Sequence, residues 1–291
     1  MAVVLVAGAT GGIGSGLLDR ALIDKQIAGH SISGLVIIDL FTDESTLQRF
    51  QQQTAARCSQ WLSQQSLLVL AWNAADVEST KRVTQKVQEH FGRLDALMIA
   101  SGIGFHGVAL DTPLEEMARI TPTLMNINVL GPMLLMRGCL PMMLSKHPER
   151  KVQPQVVVMS SISGYLGLPN RSLYCASKFA LNGFLETLAL ELKDAKADVR
   201  IIVVCPVTVQ TNFRANWRKQ FNASDADKPP PSSGVTVECC VNHVYRSLNA
   251  APASGLRRLF IPSSSQAGFA LVRLPVIGSW VESFIAARAK L

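Results

Sequence analysis

The sequence predicts a doubly wound α/β fold: one parallel sheet of seven strands with helices on both faces. Two observations carry this. Short β-branched apolar runs alternate with longer stretches of helical spacing over most of the chain. The runs are apolar nearly throughout rather than at every second residue, as strands covered on both faces require. Composition agrees, since 48% hydrophobic against 17% charged residues leaves ample apolar surface for a core and excludes disorder. Counts of 20 Gly and 14 Pro are ordinary and exclude collagen-like and low-complexity chains.

In chain order the expected strands are 3–6, 35–38, 67–70, 94–99, 156–159, 199–205 and 259–261. Helical spacing fills 14–27, 45–60, 77–91, 113–140 and 174–193. Strand–helix–strand repetition implies right-handed crossovers and hence one parallel sheet. A length of 291 residues would allow two domains, but the strands and at least six helices use the chain without a spare one. The expectation is a single domain over 1–291, with a cofactor half to residue 150 and a catalytic half over 151–262. Two segments break the pattern. Residues 211–235 hold Lys228-Pro229-Pro230-Pro231-Ser232-Ser233-Gly234 and read as a lid-like excursion, with Trp217 and Phe221 placed to close over an apolar substrate. Within the tail 263–291, the apolar stretch is interrupted by Arg273, Pro275 and Glu282, too broken to span a bilayer. It suits an oligomer seam or peripheral contact with a membrane surface.

The formal charge is +7, concentrated in Arg257, Arg258, Arg273, Arg288 and Lys290 and in Arg214, Arg218 and Lys219. This is a solvated basic face or an attraction to an anionic partner. With 6% aromatic residues and no stripe of Arg and aromatics, nucleic acid is not expected as a partner. Six cysteines in a chain of this size read as reduced, mostly buried thiols. Met1-Ala2 leads straight into an apolar run without a signal-like segment, so a cytoplasmic setting is expected. No metal-ligand spacing stands out, and no metal is expected.

After the first strand comes Ala7-Gly8-Ala9-Thr10-Gly11-Gly12-Ile13-Gly14. Glycine here allows a sharp turn, close approach of backbone N–H groups to a pyrophosphate, and tight helix–sheet packing. The following helix N-terminus adds partial positive charge. Asp39 and Leu40 close the second strand, 25 residues beyond Gly14. A carboxylate at Asp39 can accept from both ribose hydroxyls of an adenosine and would repel a 2′-phosphate. Gly11 offers no basic side chain against that repulsion, so NAD is preferred over NADP.

Tyr174-Cys175-Ala176-Ser177-Lys178 sets a phenol and an ammonium one helical turn apart. A nearby cation is expected to lower the phenol from its usual pKa of about 10 towards the range of a general acid/base. Ser161, thirteen residues upstream, ends the fifth strand, at the sheet edge where ligands bind in open parallel sheets.

With these motifs in place the chain resembles the short-chain dehydrogenase/reductase family, over residues 3–262. The family's glycine pattern is met at Gly8, Gly12 and Gly14, and its Asn-x-x-Gly at Asn128-Val129-Leu130-Gly131. Its Ser and Tyr-x-x-x-Lys are met at Ser161, Tyr174 and Lys178, and its cofactor loop at Pro206, Val207, Val209 and Thr211. Gly92-Arg93-Leu94-Asp95 fits the start of the fourth strand. The resemblance implies a Rossmann-type fold, NAD or less readily NADP as cofactor, and a homodimer or homotetramer with 113–140 and 174–193 at the seam. It implies Tyr174 as proton donor or acceptor, with Lys178 holding the nicotinamide ribose. Ser161 would bind the substrate oxygen, and Asn128 would seat a water that relays protons from Lys178. Cofactor contacts are further implied for Asn73, Ala74, Ala100, Ser101 and Gly102. Three departures bear on the cofactor: Ile99-Ala100-Ser101-Gly102 stands where the family has Asn-Asn-Ala-Gly, Asn73 where it has Asp, and Val207 where it has Gly. The expected reaction interconverts a secondary alcohol and a ketone, on a substrate that is apolar and steroid-, retinoid- or lipid-like. The alternatives are an NADP-dependent carbonyl reductase of the same fold and a non-catalytic nucleotide-binding regulator.

Overall fold

A computed structural model describes residues 1–148, 150–213, 234–251 and 255–262. The strands are β1 (Ala2–Ala7), β2 (Gln26–Ile27), β3 (His30–Asp39), β4 (Leu67–Ala71), β5 (Ala96–Ile99), β6 (Gln155–Met159), β7 (Arg200–Pro206) and β8 (Gly255–Ile261). The helices are α1 (Gly12–Asp24), α2 (Glu44–Cys58), α3 (Val77–Phe91), α4 (Leu114–Met125), α5 (Gly131–Leu144), α6 (Ser172–Asp194) and α7 (Val237–Leu248).

Seven strands pair in parallel in the order β4-β3-β1-β5-β6-β7-β8. The order runs outward from β1 in one direction and then resumes on its other side at β5. A crevice therefore opens at the carboxyl ends of β1 and β5, where an open sheet of this kind binds its ligand. The sheet separates two apolar layers. Val3, Leu5 and Ala7 pack with Val83 and Val87 of α3, Leu135 and Met136 of α5, and Leu181 and Leu185 of α6. Val4 and Val6 turn to the opposite face, against Leu17 and Leu18 of α1, Cys58 of α2, and Val241 and Val244 of α7. Two-sided burial is the reason these strands carry no polar alternation.

The structure adds an eighth strand that the sequence reading lacked. β2 pairs antiparallel with the start of β3 through a tight turn at Ala28 (φ 50°) and Gly29 (φ 75°). Two consecutive left-handed residues make the turn whose twist matches a hairpin. A two-residue strand is too short for periodicity to detect. The long helix expected over 113–140 is likewise divided: α4 ends, Asn126–Leu130 forms a widened π turn, and α5 follows. α7 was also not foreseen, although buried Cys240, Val241, Val244, Tyr245 and Leu248 have plain helical spacing.

At the edge of the sheet away from the crevice, Asp95 is fully buried. Its carboxylate accepts from the Val3 N–H (2.8 Å) and pairs with Arg150 Nε (3.0 Å) and Arg93 Nε (3.4 Å). Arg150 also donates to the Met142 (2.7 Å) and Met143 (2.6 Å) carbonyls near the end of α5. One carboxylate thus ties β1, β5 and α5 together beneath the sheet. Removing it strands two largely desolvated guanidinium groups, so Asp95→Ala should lower unfolding free energy by about 3 kcal/mol in urea denaturation.

Candidate active site

The floor of the crevice is glycine by necessity. Gly8 has φ +77°, and a Cβ there would lie 2.5 Å from the Ser101 nitrogen. A Cβ on Gly14 would lie 1.9 Å from the Gly8 carbonyl oxygen, and one on Gly12 would lie 2.6 Å from Thr211 Cγ2. The first turn of α1, the segment after β5 and the loop after β7 therefore meet at van der Waals distance. Gly11, Ile13, Ala100 and Gly102 belong to the same floor, and the Ala100 N–H continues the ladder to the Ala7 carbonyl at 2.9 Å. Pro206 ends β7, while Val209 pairs with Val235 across the neck of the excursion. Val207 is 42% exposed, so the side chain that replaces the family's glycine stands at the open rim.

Asp39 ends β3 beside this floor. Its Oδ2 accepts from the Thr10 N–H (2.6 Å) and the Thr10 hydroxyl (2.8 Å), and its Oδ1 accepts from the Leu40 N–H (2.7 Å). The carboxylate stands at the strand end the sequence predicts, but with about one of its four acceptor directions unused it is placed to accept from one ribose hydroxyl rather than from both as expected. The Leu40 side chain is 65% exposed and carries no charge. Farther along, Asn73 Oδ1 accepts from the Ala75 N–H at 3.0 Å and keeps one lone pair free. Ala74 is buried against Gly131, where a Cβ would come within 2.7 Å of it.

The acid/base residues converge from two elements. Ser161 follows β6 and caps a short 3₁₀ turn, accepting from the Ser163 N–H at 3.1 Å. Tyr174 sits in the first turn of α6, packed with Phe105, Ile120 and Leu124, and its ring lies 6.2 Å from that of Phe213. One turn later, Lys178 donates to the Met159 carbonyl at 3.1 Å, with Nζ 5.9 Å from the centre of the Tyr174 ring. Both Tyr174 and Lys178 are buried. Burial pushes the Tyr174 phenol up to about 12, opposed by a hydrogen bond from Ser161 and the charge of Arg171. Burial drives the Lys178 ammonium down to about 8. The expected lowering of the phenol by Lys178 is therefore corrected. Both ionised forms are disfavoured by desolvation, and the ammonium lies over the ring.

Asn128 has a bracing part that the sequence reading did not foresee. Its Oδ1 accepts from the Ile103 N–H (2.8 Å), and its Nδ2 donates to the Ile103 carbonyl (2.8 Å) and Ser177 Oγ (3.1 Å). With both amide hydrogens used, the side chain braces the site and could meet a relay water only as an acceptor, through the second lone pair of Oδ1. Ser177 Oγ in turn donates to the Tyr174 carbonyl at 2.8 Å. Ser177 was missed as a functional residue, and so was Asn182. The latter accepts from Ser160 Oγ at 2.6 Å and donates to the Gly164 carbonyl at 2.9 Å, locking α6 to the end of β6. Tyr174, Lys178 and Asn182 recur every fourth residue, a spacing that could have exposed Asn182. Trp217, Phe221 and the tail 263–291 lie outside the described residues.

The family described as short chain dehydrogenase matches residues 2–222. The chain is 30% identical over 241 residues to dehydrogenase/reductase SDR family member 7B of Rattus norvegicus, covering 81% of this chain and 68% of that protein. It is 33% identical over 195 residues to estradiol 17-beta-dehydrogenase 1 of the same species, covering 65% of this chain and 49% of the relative. The matched part thus spans 49% to 68% of these relatives' lengths. Among solved structures, a short chain dehydrogenase/reductase from Burkholderia phymatum in complex with NAD has a TM-score of 0.71 at 18% identity, covering 94% of each chain. A short chain dehydrogenase from Shigella flexneri complexed with NADP has a TM-score of 0.64 at 20% identity, covering 89% of this chain and 96% of that one.

The Lys178 shift has a defined sign. Below pH 8 folded and unfolded chains are both protonated there, so the full burial cost is present. It is relieved as pH rises from about 8 towards the ordinary 10.5, because the folded state gives up its proton first. Lys178→Met should therefore stabilise the cofactor-free protein below pH 8, by roughly 2–3 kcal/mol, and the difference should shrink by pH 10 in denaturant titrations.

Proposed function

The chain belongs to the short-chain dehydrogenase/reductase family, and from that premise we propose an NAD(H)-dependent oxidoreductase that interconverts a secondary alcohol and a ketone. The observation that carries this is the convergence of Ser161, Tyr174 and Lys178 beside a glycine floor at the point where the strand order reverses. The residues fit a dinucleotide. The contacts at Gly8, Gly12 and Gly14 leave no room for side chains where backbone must approach phosphate. Ser101 Oγ is buried without a hydrogen-bond partner, between the glycine turn and Gly102, whose Cβ would lie 3.7 Å from Lys178 Nζ. A buried hydroxyl in that state is satisfied by a polar ligand.

Gly8, Gly12, Gly14, Ser101 and Thr211 would hold the phosphates and adjoining ribose, Asp39 the adenosine ribose, and Lys178 the second ribose. The bound dinucleotide would supply or take up a hydride. Tyr174 gives its proton to the carbonyl oxygen in reduction and takes one from the hydroxyl in oxidation. Ser161 donates to the same oxygen and stabilises the negative charge that develops on it. Asn128 and Ser177 fix the Tyr174 backbone while this occurs.

The preference for NAD rests on Asp39, with uncharged Gly11 and Leu40 beside it. An apolar, steroid- or lipid-like substrate is supported by the Phe213 ring beside Tyr174 and by the exposed Val207 after β7. The estradiol dehydrogenase relative points the same way. A homodimer or homotetramer is supported by exposed Leu130, Phe179 and Leu190 on the stretches expected at the seam.

A panel of ketones and alcohols followed by NADH absorbance tests the reaction. Tyr174→Phe should lower kcat by about 10³-fold while the NADH Kd stays within twofold. Equal turnover by the variant would refute the assignment. The NADH Kd should also be lower than the NADPH Kd, and Asp39→Ala should narrow or reverse the gap. Tighter NADPH binding by the parent would overturn the preference.

A further inference from the structure

A carboxylate presents about four acceptor directions, two on each oxygen. At Asp39 three of them are taken by the protein itself. The Thr10 N–H (2.6 Å) and the Thr10 hydroxyl (2.8 Å) both donate to Oδ2, and the Leu40 N–H donates to Oδ1 at 2.7 Å. One residue of the glycine turn therefore fills Oδ2 completely. Asp39 has no ion-pair partner among the described residues, and Gly11 and Leu40 beside it carry no polar side-chain atom. Among the described residues, the Thr10 hydroxyl is the only side-chain group that binds this carboxylate.

The three bonds differ in kind. The Leu40 N–H follows directly on β3, and the Thr10 N–H belongs to a turn closed by the Gly11 N–H donating to the Gly8 carbonyl at 3.2 Å. These two backbone donors bind one oxygen each. A carboxylate gripped in that way, by a fixed donor on either oxygen, has its plane set. The hydroxyl adds nothing to that orientation. It is a rotor on an exposed residue, able to turn towards water, and it stands on the one Oδ2 direction that the backbone leaves open. A second ribose hydroxyl, expected at a carboxylate in this position, would have to displace it.

We propose that the Thr10 hydroxyl occupies the place at Asp39 that one adenosine ribose hydroxyl would take. Thr10 is thus a positioning residue that limits the carboxylate to a single ribose contact and holds NAD affinity below what Asp39 alone would give. The proposal rests on the NAD reading of the preceding subsection and assigns the residue that tunes it. A 2′-phosphate is repelled by the carboxylate whether or not Oδ2 is filled. The hydroxyl therefore weakens the binding of NAD without weakening that of NADP, and narrows the selectivity between them.

The test measures the NADH and NADPH Kd by fluorescence titration. Thr10→Val removes the hydroxyl but keeps the shape and the backbone N–H. It should lower the NADH Kd by roughly three- to tenfold, while the NADPH Kd does not fall. Thr10→Ser should match the parent. In an Asp39→Ala background Thr10→Val should change nothing. Displacement of bound reduced cofactor by AMP and its 2′-deoxy and 3′-deoxy analogues counts the contacts: the parent should lose affinity for one deoxy form, and Thr10→Val for both. An NADH Kd that is unchanged or raised in Thr10→Val, or that falls equally without Asp39, overturns the proposal, as does a Thr10→Ser variant that behaves like Thr10→Val. A residue that merely shapes the turn would give a raised Kd, so the sign separates the two roles. Tighter NADPH binding by the parent overturns the NAD reading instead; the AMP series carries no 2′-phosphate and still decides the part of Thr10.

Discussion

The site depends first on the three hydrogen bonds of Asn128. One buried amide grips both backbone groups of Ile103 and the hydroxyl of Ser177, which in turn holds the carbonyl of Tyr174. The loop after β5, the π turn between α4 and α5, and the first turn of α6 are thereby fixed relative to one another. A helix bearing an acid/base residue can contribute to chemistry only if its reach is defined to a fraction of an ångström, and short buried polar contacts of this kind are the stiffest available. The π turn belongs to the same device, because the widened turn is the segment that carries the amide.

Around that brace, burial sets the electrostatics. Tyr174 and Lys178 are both withdrawn from water, and each is biased towards its neutral form. For the lysine this is unfavourable in the resting fold, because its charge is buried, whereas the phenol is held in its neutral, proton-bearing form. The Asp95 cluster shows the opposite arrangement. There a fully buried carboxylate is matched by two guanidinium groups and a backbone N–H, and its effect is to hold β1, β5 and α5 in register.

Much of this was legible in the residues. Continuous apolar runs predicted a sheet covered on both sides, and seven of the eight strands were foreseen with ends off by a few residues. The glycine turn, Asp39, Ser161, Tyr174 and Lys178 could be singled out as candidates because their signal is local: a spacing, a strand end, one helical turn. What was not legible depends on contacts distant in sequence. The bracing parts of Asn128, Ser177 and Asn182 follow from partners between 3 and 49 residues away. The upward shift of Tyr174 arises from burial by α4 and the loop after β5, which no spacing within Tyr-x-x-x-Lys encodes.

The neck of the segment after β7 has a consequence for how such a protein can change. Val209 and Val235 are bridged, the Val235 N–H donates to the Thr208 carbonyl and the Gln210 N–H to the Val235 carbonyl, each at 3.0 Å. Chain between two anchored points can lengthen or shorten at a free-energy cost that grows only with the logarithm of its length. The collar therefore works as a socket. Residues inserted or exchanged between the two anchored points leave the register of β7 undisturbed, so that stretch of chain is free to vary while the bridge and the strand before it are kept.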